Sequence, residues 1–521
     1  MSGWSGEGSP RTAGAVEPDG RGAPDPAALA ELARVLGEDA VLTEAAARAV
    51  HERPWRGPLG RAAAVLRPAD VAGVREVVAW AVRHRVVLVP QGANTGLVGA
   101  GVPDGSGTQV VLSLARLDRV REIDPIDRIV IAEAGVTLSA LDAALAPHGL
   151  ELPIDLSADP SVGGLIATNA GGSRMLRHGD VRRLTLGVEV VLPDRAATLV
   201  SELEALRKDN ARTHLRDLIV GSGGDLTVVT AAAFEVVPRA RARAAALVRV
   251  PDVRTALALT VALEHHLGPE LAAAELIGAS TLERIVRHVP EAAGGIMAAT
   301  TVLVELATHR VDRDAEAALA SALAGIAEDG AARGVATIDD AAVVPSAAAW
   351  RLRHAASEAV ARDAAEQGAL VVALDVSVRR SRLPELLAAA RAAVAALAPD
   401  AAVHEFGHLG DGGMHLLLVV PGPAPDGPPT AASAREGELR DVVYRRVRAL
   451  GGSISAEHGR GPTVGPWLGT GTRDRDARAE PDPRGRIEEG LHDLFDPFRL
   501  LGNPGDGTVA RSRRIAEEGA P

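Results

Sequence analysis

Pro90-Gln-Gly-Ala-Asn-Thr-Gly-Leu-Val-Gly-Ala-Gly101 closes the apolar run Val86-Val-Leu-Val-Pro90, which its length and flanks predict as a short buried strand. Glycines clustered after a strand let successive backbone N–H groups point into one concavity, and such nests bind phosphate oxygens. Asn94 and Thr95 add polar side chains. The spacing is not the GxGxxG of a dinucleotide fold, and the GK[ST] of a P-loop is missing. Alone, the stretch reads as a tight turn. A second cluster, Pro160-Ser-Val-Gly-Gly-Leu-Ile-Ala-Thr-Asn-Ala-Gly-Gly172, is too flexible and too polar to serve packing alone. Two such loops, starting at Pro90 and Pro160, suit a long cofactor with a pyrophosphate in its middle.

Around these loops the signals alternate. Val71, Val74, Val78 and Val82 recur at helical spacing, and Thr137 and Gly149 bracket a second helix as N-cap and stop. VVLSL, RIVIAEAG, LGVEVVLPD and LTVVTAAAFEVVPR read as strands, up to about Arg239. A second α/β region begins near Ala242, with strands at TVLVEL, ALVVALDVSV and MHLLLVV and Ala-rich helices between them. PGPAPDGPPTAASA and GTGTRDRDARAEPDPRG read as surface loops. The first 26 residues, rich in Gly, Pro, Ser and acid, read as a disordered tail, without the basic-then-apolar order of a signal peptide. A net charge of -12 argues against nucleic acid as partner. The absence of cysteine excludes disulfides, thiolate metal sites and cysteinyl-flavin links, and suits a cytoplasmic protein.

The loops carry a resemblance. PQGANTGLVG and DPSVGGLIATNAGG, extended by LRHGDVRRLTLGVEVVLPD and LRKDNARTHLRDLIVGS, are similar to the FAD enzymes of the vanillyl-alcohol oxidase/p-cresol methylhydroxylase superfamily, in the D-2-hydroxy-acid dehydrogenase branch of D-lactate, glycolate and D-2-hydroxyglutarate enzymes. The resemblance implies an α+β fold: a two-part α/β FAD-binding domain of the p-cresol methylhydroxylase type over 27–240, a ferredoxin-like substrate cap over 241–505, and a tail over 506–521. It implies FAD contacts from Pro90, Gly92, Ala93, Asn94, Thr95, Gly96, Leu97, Pro160, Ser161, Gly163, Gly164, Thr168, Asn169, Gly171, Gly172 and Gly221. The closing segment Phe495-Asp-Pro-Phe-Arg-Leu-Leu-Gly-Asn-Pro504 adds Asn503. The family's Gly-Ser-Glu-Gly-Thr-Leu-Gly turn is here Gly221-Ser-Gly-Gly-Asp-Leu-Thr227, without the acid at Gly223.

Phe406-Gly-His-Leu-Gly-Asp-Gly-Gly-Met-His415 places two histidines around a glycine turn. A four-residue turn over Gly410–Gly413 makes His408 and His415 face each other across two strands. Gly452-Ser-Ile-Ser-Ala-Glu-His-Gly-Arg-Gly461 adds Glu457 and His458. Two histidines and a carboxylate with open positions suit Zn²⁺ or Mn²⁺. Oxidation of R–CH(OH)–COO⁻ needs loss of the hydroxyl proton and of a hydride from carbon, and a metal on the hydroxyl lowers its pKa. The resemblance nominates His458 as base and, from Trp350-Arg-Leu-Arg-His-Ala-Ala-Ser357, Arg353 as the fork for the substrate carboxylate, with Ser357 one turn on. Asp375 and Ser377 are expected to serve their strand only. The D-2-hydroxyglutarate enzymes carry a lysine where this chain has Ala373, which points to a D-lactate-like monocarboxylate unless Arg379 or Arg380 replaces it. The usual Asn after Gly-Asp-Gly is Gly413.

The expected activity is oxidation of a small D-2-hydroxy acid, with electrons passed to an electron-transfer flavoprotein, quinone or cytochrome, in a chain that could be a homodimer. A flavin oxidase using oxygen and a non-catalytic flavin-binding paralogue are the alternatives. Because the chain has no cysteine and its pyrophosphate loop no histidine, FAD is expected to be held non-covalently. The purified protein should be yellow, and acid or heat should release all its flavin as free FAD. Flavin carried down with the precipitated protein would show a covalent link instead.

Overall fold

The computed structural model describes residues 22–55, 59–294, 296–333, 338–422, 429–468 and 483–502. The first sheet holds β1 (Val41–Leu42), β2 (Ala64–Leu66), β3 (Leu88–Gln91) and β4 (Val110–Ser113), in the order β1-β2-β4-β3. β4 runs parallel to both β2 and β3, so the chain must cross over between β2 and β3. It does so through the helix Val71–His84, which Asp70 caps by accepting the Gly73 N–H at 2.8 Å. Val74, Val77 and Val78 on that helix are fully buried.

The next strands are β5 (Val120–Asp124), β6 (Ile129–Glu133), β7 (Leu150–Glu151), β8 (Thr185–Val191), β9 (Leu199–Ser201), β10 (Val228–Glu235) and β11 (Val237–Pro238). Five of them form an antiparallel sheet, β5-β6-β10-β8-β9, and β7 pairs with β11 as a two-residue ribbon. The helix Leu138–Leu145 has the expected N-cap at Thr137, and Gly149 stops the following turn with φ +66°.

The third sheet has seven strands: β12 (Ala242–Arg249), β13 (Leu271–Ile277), β14 (Thr301–Thr308), β15 (Asp340–Val344), β16 (Leu370–Ser377), β17 (Ala402–His408) and β18 (Gly413–Val420). Their order, β15-β12-β14-β13-β17-β18-β16, resolves into two ferredoxin-like units side by side. In the first, strand-helix-strand-strand-helix-strand gives the spatial order 4-1-3-2. The second repeats the connectivity from β16, its fourth strand reduced to the single bridge Ser377↔Ser453. β13 and β17 join the units antiparallel, pairing Glu275 with His408. The helices Val253–Leu267, Leu383–Leu397 and Pro429–Ala449 cover one face over an Ala, Leu and Val core. The helices Ala279–His288 and Ser346–Glu366 pack on the other, against Phe406, Leu417 and Val419. That second face carries the site.

Several expectations need correction. Asp25 caps a helix that starts at Pro26, inside the expected tail, because proline is well placed at a first helical position. The two expected surface loops end as the starts of the helices Pro429–Ala449 and Pro483–Phe495. Residues 1–21, 423–428, 469–482 and 503–521 lie outside the described residues. The Ala-rich segments ARAAALVR, LAAAELI and DAAVV, not among the strands read from the sequence, are β12, β13 and β15. Alanine prefers helix by well under 1 kcal/mol per residue, less than burial between paired strands supplies. Among the described residues no helix is long and apolar enough to cross a membrane.

The two regions meet at the helix Met175–His178, where Arg177 donates to the Ala307 carbonyl on β14 at 2.7 Å. Burial, then the charges of Arg177 and Arg174, push the imidazole of His178 from 6.5 down to about 4. Between those pH values the unfolded chain binds a proton that the folded chain refuses, so protonation favours unfolding. Stability should therefore fall as pH drops from 6.5 to 4, and fall less in His178→Gln. Denaturant midpoints for both proteins across that window check this. Equal losses in the two would remove His178 from the acid response.

Candidate active site

The first glycine loop is closed at its base by Gln91, whose Nε2 donates to the carbonyls of Gly101 at 2.6 Å and His51 at 2.9 Å. The second loop enters the helix Val162–Thr168, which Ser161 caps through the Gly164 N–H. The loops touch: a Cβ on Gly92 would lie 2.0 Å from Ser161 Oγ, so only glycine allows this approach. Together they form one wall of a cavity of about 370 Å³. Gly223 and Gly224 line it too, at φ +80° and +79°. The acid of the family turn would be strained at Gly223, so this chain builds the turn differently. Thr227 also lines the cavity, and its buried hydroxyl has no hydrogen-bond partner among the described residues. An orphaned donor beside a glycine nest fits a polar cofactor such as FAD.

Of the residues expected to touch FAD, Pro90, Gly92, Ala93, Asn94, Thr95, Gly96, Leu97, Pro160, Ser161, Gly163, Gly164, Thr168 and Gly172 line this cavity. Asn169, Gly171 and Gly221 do not. Asn169 is left-handed at φ +52° and ends the helix, its side chain holding Asp180 and the Arg182 N–H. Gly171 packs against Met175, and Gly221 turns at φ +83° to donate to the Ile166 carbonyl. Asn503 lies outside the described residues.

The opposite wall comes from the seven-stranded sheet. The turn between β17 and β18 is Leu409–Gly412, one residue earlier than expected, and His415 pairs with Phe406. His408 therefore sits diagonal to His415 on the same face, with ring centroids 5.7 Å apart. The loop after the helix Pro429–Ala449 brings Glu457 Oε1 to 3.0 Å from His408 Nε2 and 3.2 Å from His415 Nε2. Ligand atoms of all three side chains lie within 4.8 Å of one another, close enough for one metal ion. The His408 imidazole is hydrogen-bonded on its other nitrogen, and a carboxylate stands near that of His415. His408 Nδ1 is 2.5 Å from Glu275 Oε1, and His415 Nδ1 is 3.5 Å from Asp375 Oδ1. Carboxylates behind histidines in this way orient them for a metal.

Asp375 does more than serve its strand. Its Oδ2 accepts the backbone N–H groups of Glu457 at 2.8 Å and His458 at 2.9 Å, and lies 3.7 Å from His458 Nδ1. His458 stacks on His415 at 5.5 Å. Ser377 does serve its strand, through the paired backbone bonds to Ser453. Arg353 is 7% exposed, donates from Nε to Glu275 Oε2 at 2.8 Å, and lies over the Phe406 ring at 4.6 Å. Ser346 and Trp350, on the same helix, bond Glu305 Oε1 at 2.5 and 3.0 Å and fix that helix on the sheet. Arg353, Ser357, Ala373, Phe406, Leu417 and His458 all line the cavity. Arg380 is bound to Glu264, and neither it nor Arg379 reaches that wall.

Burial disfavours every charge here, and the neighbours decide. Burial opposes the imidazolium of His408, but Glu275 and Glu457 outweigh it and hold its pKa well above the usual histidine range. Burial likewise opposes ionisation of Glu457, but His408 and His415 hold it well below the carboxylate range. Glu275 is also lowered, His408 and Arg353 overcoming its burial. A field that favours a proton between two carboxylates also favours a metal cation there.

Glu275 and Asp375 are the residues that sequence reasoning missed as parts of the site. The available signal was a lone acid inside an apolar run, LAAAELI and VVALDVSV, because a buried carboxylate needs a cationic or N–H partner.

Comparison with known proteins identifies the family. The chain matches the FAD binding domain family over residues 62–196 and the FAD linked oxidases C-terminal domain family over 239–479. It is 32% identical over 445 residues to a D-2-hydroxyglutarate dehydrogenase of Xanthomonas citri pv. viticola, covering 85% of this chain and 88% of that protein. It is 30% identical over 426 residues to a putative mitochondrial D-lactate dehydrogenase of Schizosaccharomyces pombe, covering 79% and 76%. The fold is shared with p-cresol methylhydroxylase solved with substrate bound, at TM-score 0.63 and 16% identity over 91% of this chain and 95% of that one.

Proposed function

This chain belongs to the vanillyl-alcohol oxidase/p-cresol methylhydroxylase superfamily, in its D-2-hydroxy-acid dehydrogenase branch, and we propose that it oxidises a small D-2-hydroxy acid of the D-lactate type to the 2-oxo acid. One observation carries the reading: a single cavity joins the glycine loops of the FAD-binding region to Arg353, His458 and the His408–His415–Glu457 cluster. When bound, FAD supplies a hydride acceptor at N5, and a Zn²⁺ or Mn²⁺ ion in that cluster supplies a Lewis acid for the hydroxyl oxygen.

The residues of the chain divide the remaining work. Arg353 receives the substrate carboxylate, its Nε anchored to Glu275 and its terminal nitrogens without a protein acceptor among the described residues. His458 accepts the hydroxyl proton as the hydride leaves the same carbon, so that the C–O bond becomes a carbonyl. Asp375 orients His458 and the loop that carries it. Ala373, Phe406 and Leu417 form the wall against the rest of the substrate and exclude water. The electrons leave to an acceptor other than oxygen: an electron-transfer flavoprotein, quinone or cytochrome. A cytoplasmic location accords with a chain free of cysteine.

D-2-hydroxyglutarate is the second reading, favoured by the name of the Xanthomonas relative. Its second carboxylate needs a cation. The arginines that line the cavity among the described residues are Arg353 and Arg460, and Arg460 lies 3.8 Å from Asp225 beside the Gly223 turn. The Ala373 wall offers no charge.

His408→Ala, His415→Ala or Glu457→Ala should abolish reduction of the flavin by substrate while leaving the protein yellow, since the glycine loops lie in the other region. EDTA should act alike, and Zn²⁺ or Mn²⁺ should restore activity. Full activity of metal-stripped enzyme would sink the metal assignment.

A charge-assisted hydrogen bond of the kind a lysine at this wall would supply contributes ~1.5–3 kcal/mol, and each ~1.4 kcal/mol is tenfold in rate or affinity. D-Lactate or a longer apolar D-2-hydroxy acid should therefore exceed D-2-hydroxyglutarate in kcat/KM, and Ala373→Lys should shift the ratio toward the dicarboxylate by one to two orders of magnitude. A wild-type preference for D-2-hydroxyglutarate would establish the second reading.

A further inference from the structure

We propose that Glu275 is a positioning residue that couples recognition of the substrate carboxylate to metal binding, one oxygen orienting Arg353 and the other His408; this rests on the metal and substrate roles proposed above. Glu275 is 1% exposed and lies at the middle of the sheet on β13. Its backbone pairs directly with that of His408 on β17, so their approach is fixed by strand register and not by a loop. Oε1 lies 2.5 Å from His408 Nδ1, and Oε2 lies 2.8 Å from Arg353 Nε. Each contact engages one nitrogen of its partner and leaves the others turned toward the cavity. With Nδ1–H donated to Glu275, His408 turns Nε2 toward Glu457, and a metal that replaces the proton between them would take the Nε2 lone pair. With Nε held from the side, Arg353 presents its terminal nitrogens to a carboxylate.

Because a guanidinium and a metal-ligating imidazole would share one anion, a charge change at either end is felt at the other. A carboxylate bound to Arg353 takes up part of its positive charge, and Glu275 then interacts more strongly with His408. His408 becomes the better ligand, and the metal is held more tightly. By linkage, bound metal raises the affinity for the acid by the same factor. The arrangement thereby favours the complex with both partners in place, the one in which chemistry can proceed.

The test measures metal affinity without turnover, by competing Zn²⁺ or Co²⁺ between the flavoprotein and a chromophoric chelator. Flavin content and thermal midpoint report whether each variant is folded. Glu275→Gln, which keeps the shape and removes the charge, should weaken metal binding by about 10–100-fold. Arg353→Met does not touch the metal ligands, yet should tighten metal binding several-fold, because it relieves Glu275 of its second cation. In the double variant the Arg353→Met effect should vanish, since its path runs through Glu275. Direct repulsion between Arg353 and the ion would survive in the Glu275→Gln background, and that result would overturn the proposal. So would wild-type metal affinity in Glu275→Gln. If the Gln variant does not accumulate, Glu275→Asp keeps the charge but loses reach. It should weaken the metal and shrink the response to Arg353→Met, and an undiminished response would count against the coupling. A wild-type protein that binds no divalent ion would overturn the metal reading together with this proposal. Metal binding and turnover intact in wild type, with no change in Glu275→Gln, would overturn this proposal alone.

Discussion

The site depends on three residue pairs. β13 pairs with β17 through Glu275↔His408, Leu276↔Gly407 and Ile277↔Phe406, and this short seam, extended by the Leu409 N–H to the Ala274 carbonyl and the Gly278 N–H to the Glu405 carbonyl, joins the two halves of the cap sheet. Side chains alternate along a strand, so a slip of one residue would turn His408 into the aliphatic core below and leave Glu275 buried without a cation. The seam is also where space is tightest. Gly407 has φ +155°, and a Cβ there would stand 2.6 Å from the Gly413 carbonyl, so β18 can approach β17 closely enough to carry His415 beside His408. From that register follow the diagonal histidines, the reach of Glu457 to both of them, and the position of Phe406 under Arg353.

Such a seam costs stability that packing elsewhere must offset. Glu275, Glu305 and Asp375 are each at most 6% exposed, and each is the partner of several donors, not one. Glu305 receives Ser346 and Trp350 and lies within 3.5 Å of both Arg174 and Arg243. Asp375 takes two backbone N–H groups, and Glu275 takes an arginine and a histidine. Replacement of buried ion pairs by apolar side chains is often neutral or stabilising, so their presence is not explained by stability. What they supply is orientation: imidazoles, a guanidinium and a loop held in single positions around an open space. The apolar shell around them, from Ile277 and Leu352 to Leu417 and Val419, keeps solvent from loosening those contacts.

Much of this was legible in the sequence, for identifiable reasons. The glycine loops announced themselves because only glycine permits the approach of Gly92 to Ser161, and thirteen of the fifteen residues named there from sequence line the cavity. His408, His415 and Glu457 stand out as imidazole or charged side chains close to glycine turns, whereas Arg353, one of several charges on its helix, is picked out only by the family resemblance. What was hidden was hidden by alanine. ARAAALVR and LAAAELI have the local preference of helices, and their strand state is decided by partners far away in the chain. With β13 unseen, Glu275 could not be placed opposite His408. The duplication of the cap was invisible for a related reason: it survives as connectivity and strand order, which pairing determines, and not as a periodic pattern of residues.

The glycine loops and the His408–His415–Glu457 cluster belong to different regions, so the distance between them must be set by contacts that cross from one to the other. One such contact lies just beyond the second glycine loop. Arg174, two residues after Gly172, lies 3.0 Å from Asp155 on its own side and 3.5 Å from Glu305 in the cap. Glu305 in turn holds Trp350, one helical turn before Arg353. Arg177 adds a second tie, to the carbonyl of Ala307 on the same strand. A continuous path therefore runs from the loop that lines the flavin side, through one buried carboxylate, to the arginine nominated for the substrate. Hydride transfer is sensitive to misplacement of about 1 Å, and a path made of ion pairs and strand register is stiffer than the loops it connects. The seating of the cap is thus part of the active-site geometry, set by Glu305 at the boundary as Glu275 sets it within the sheet.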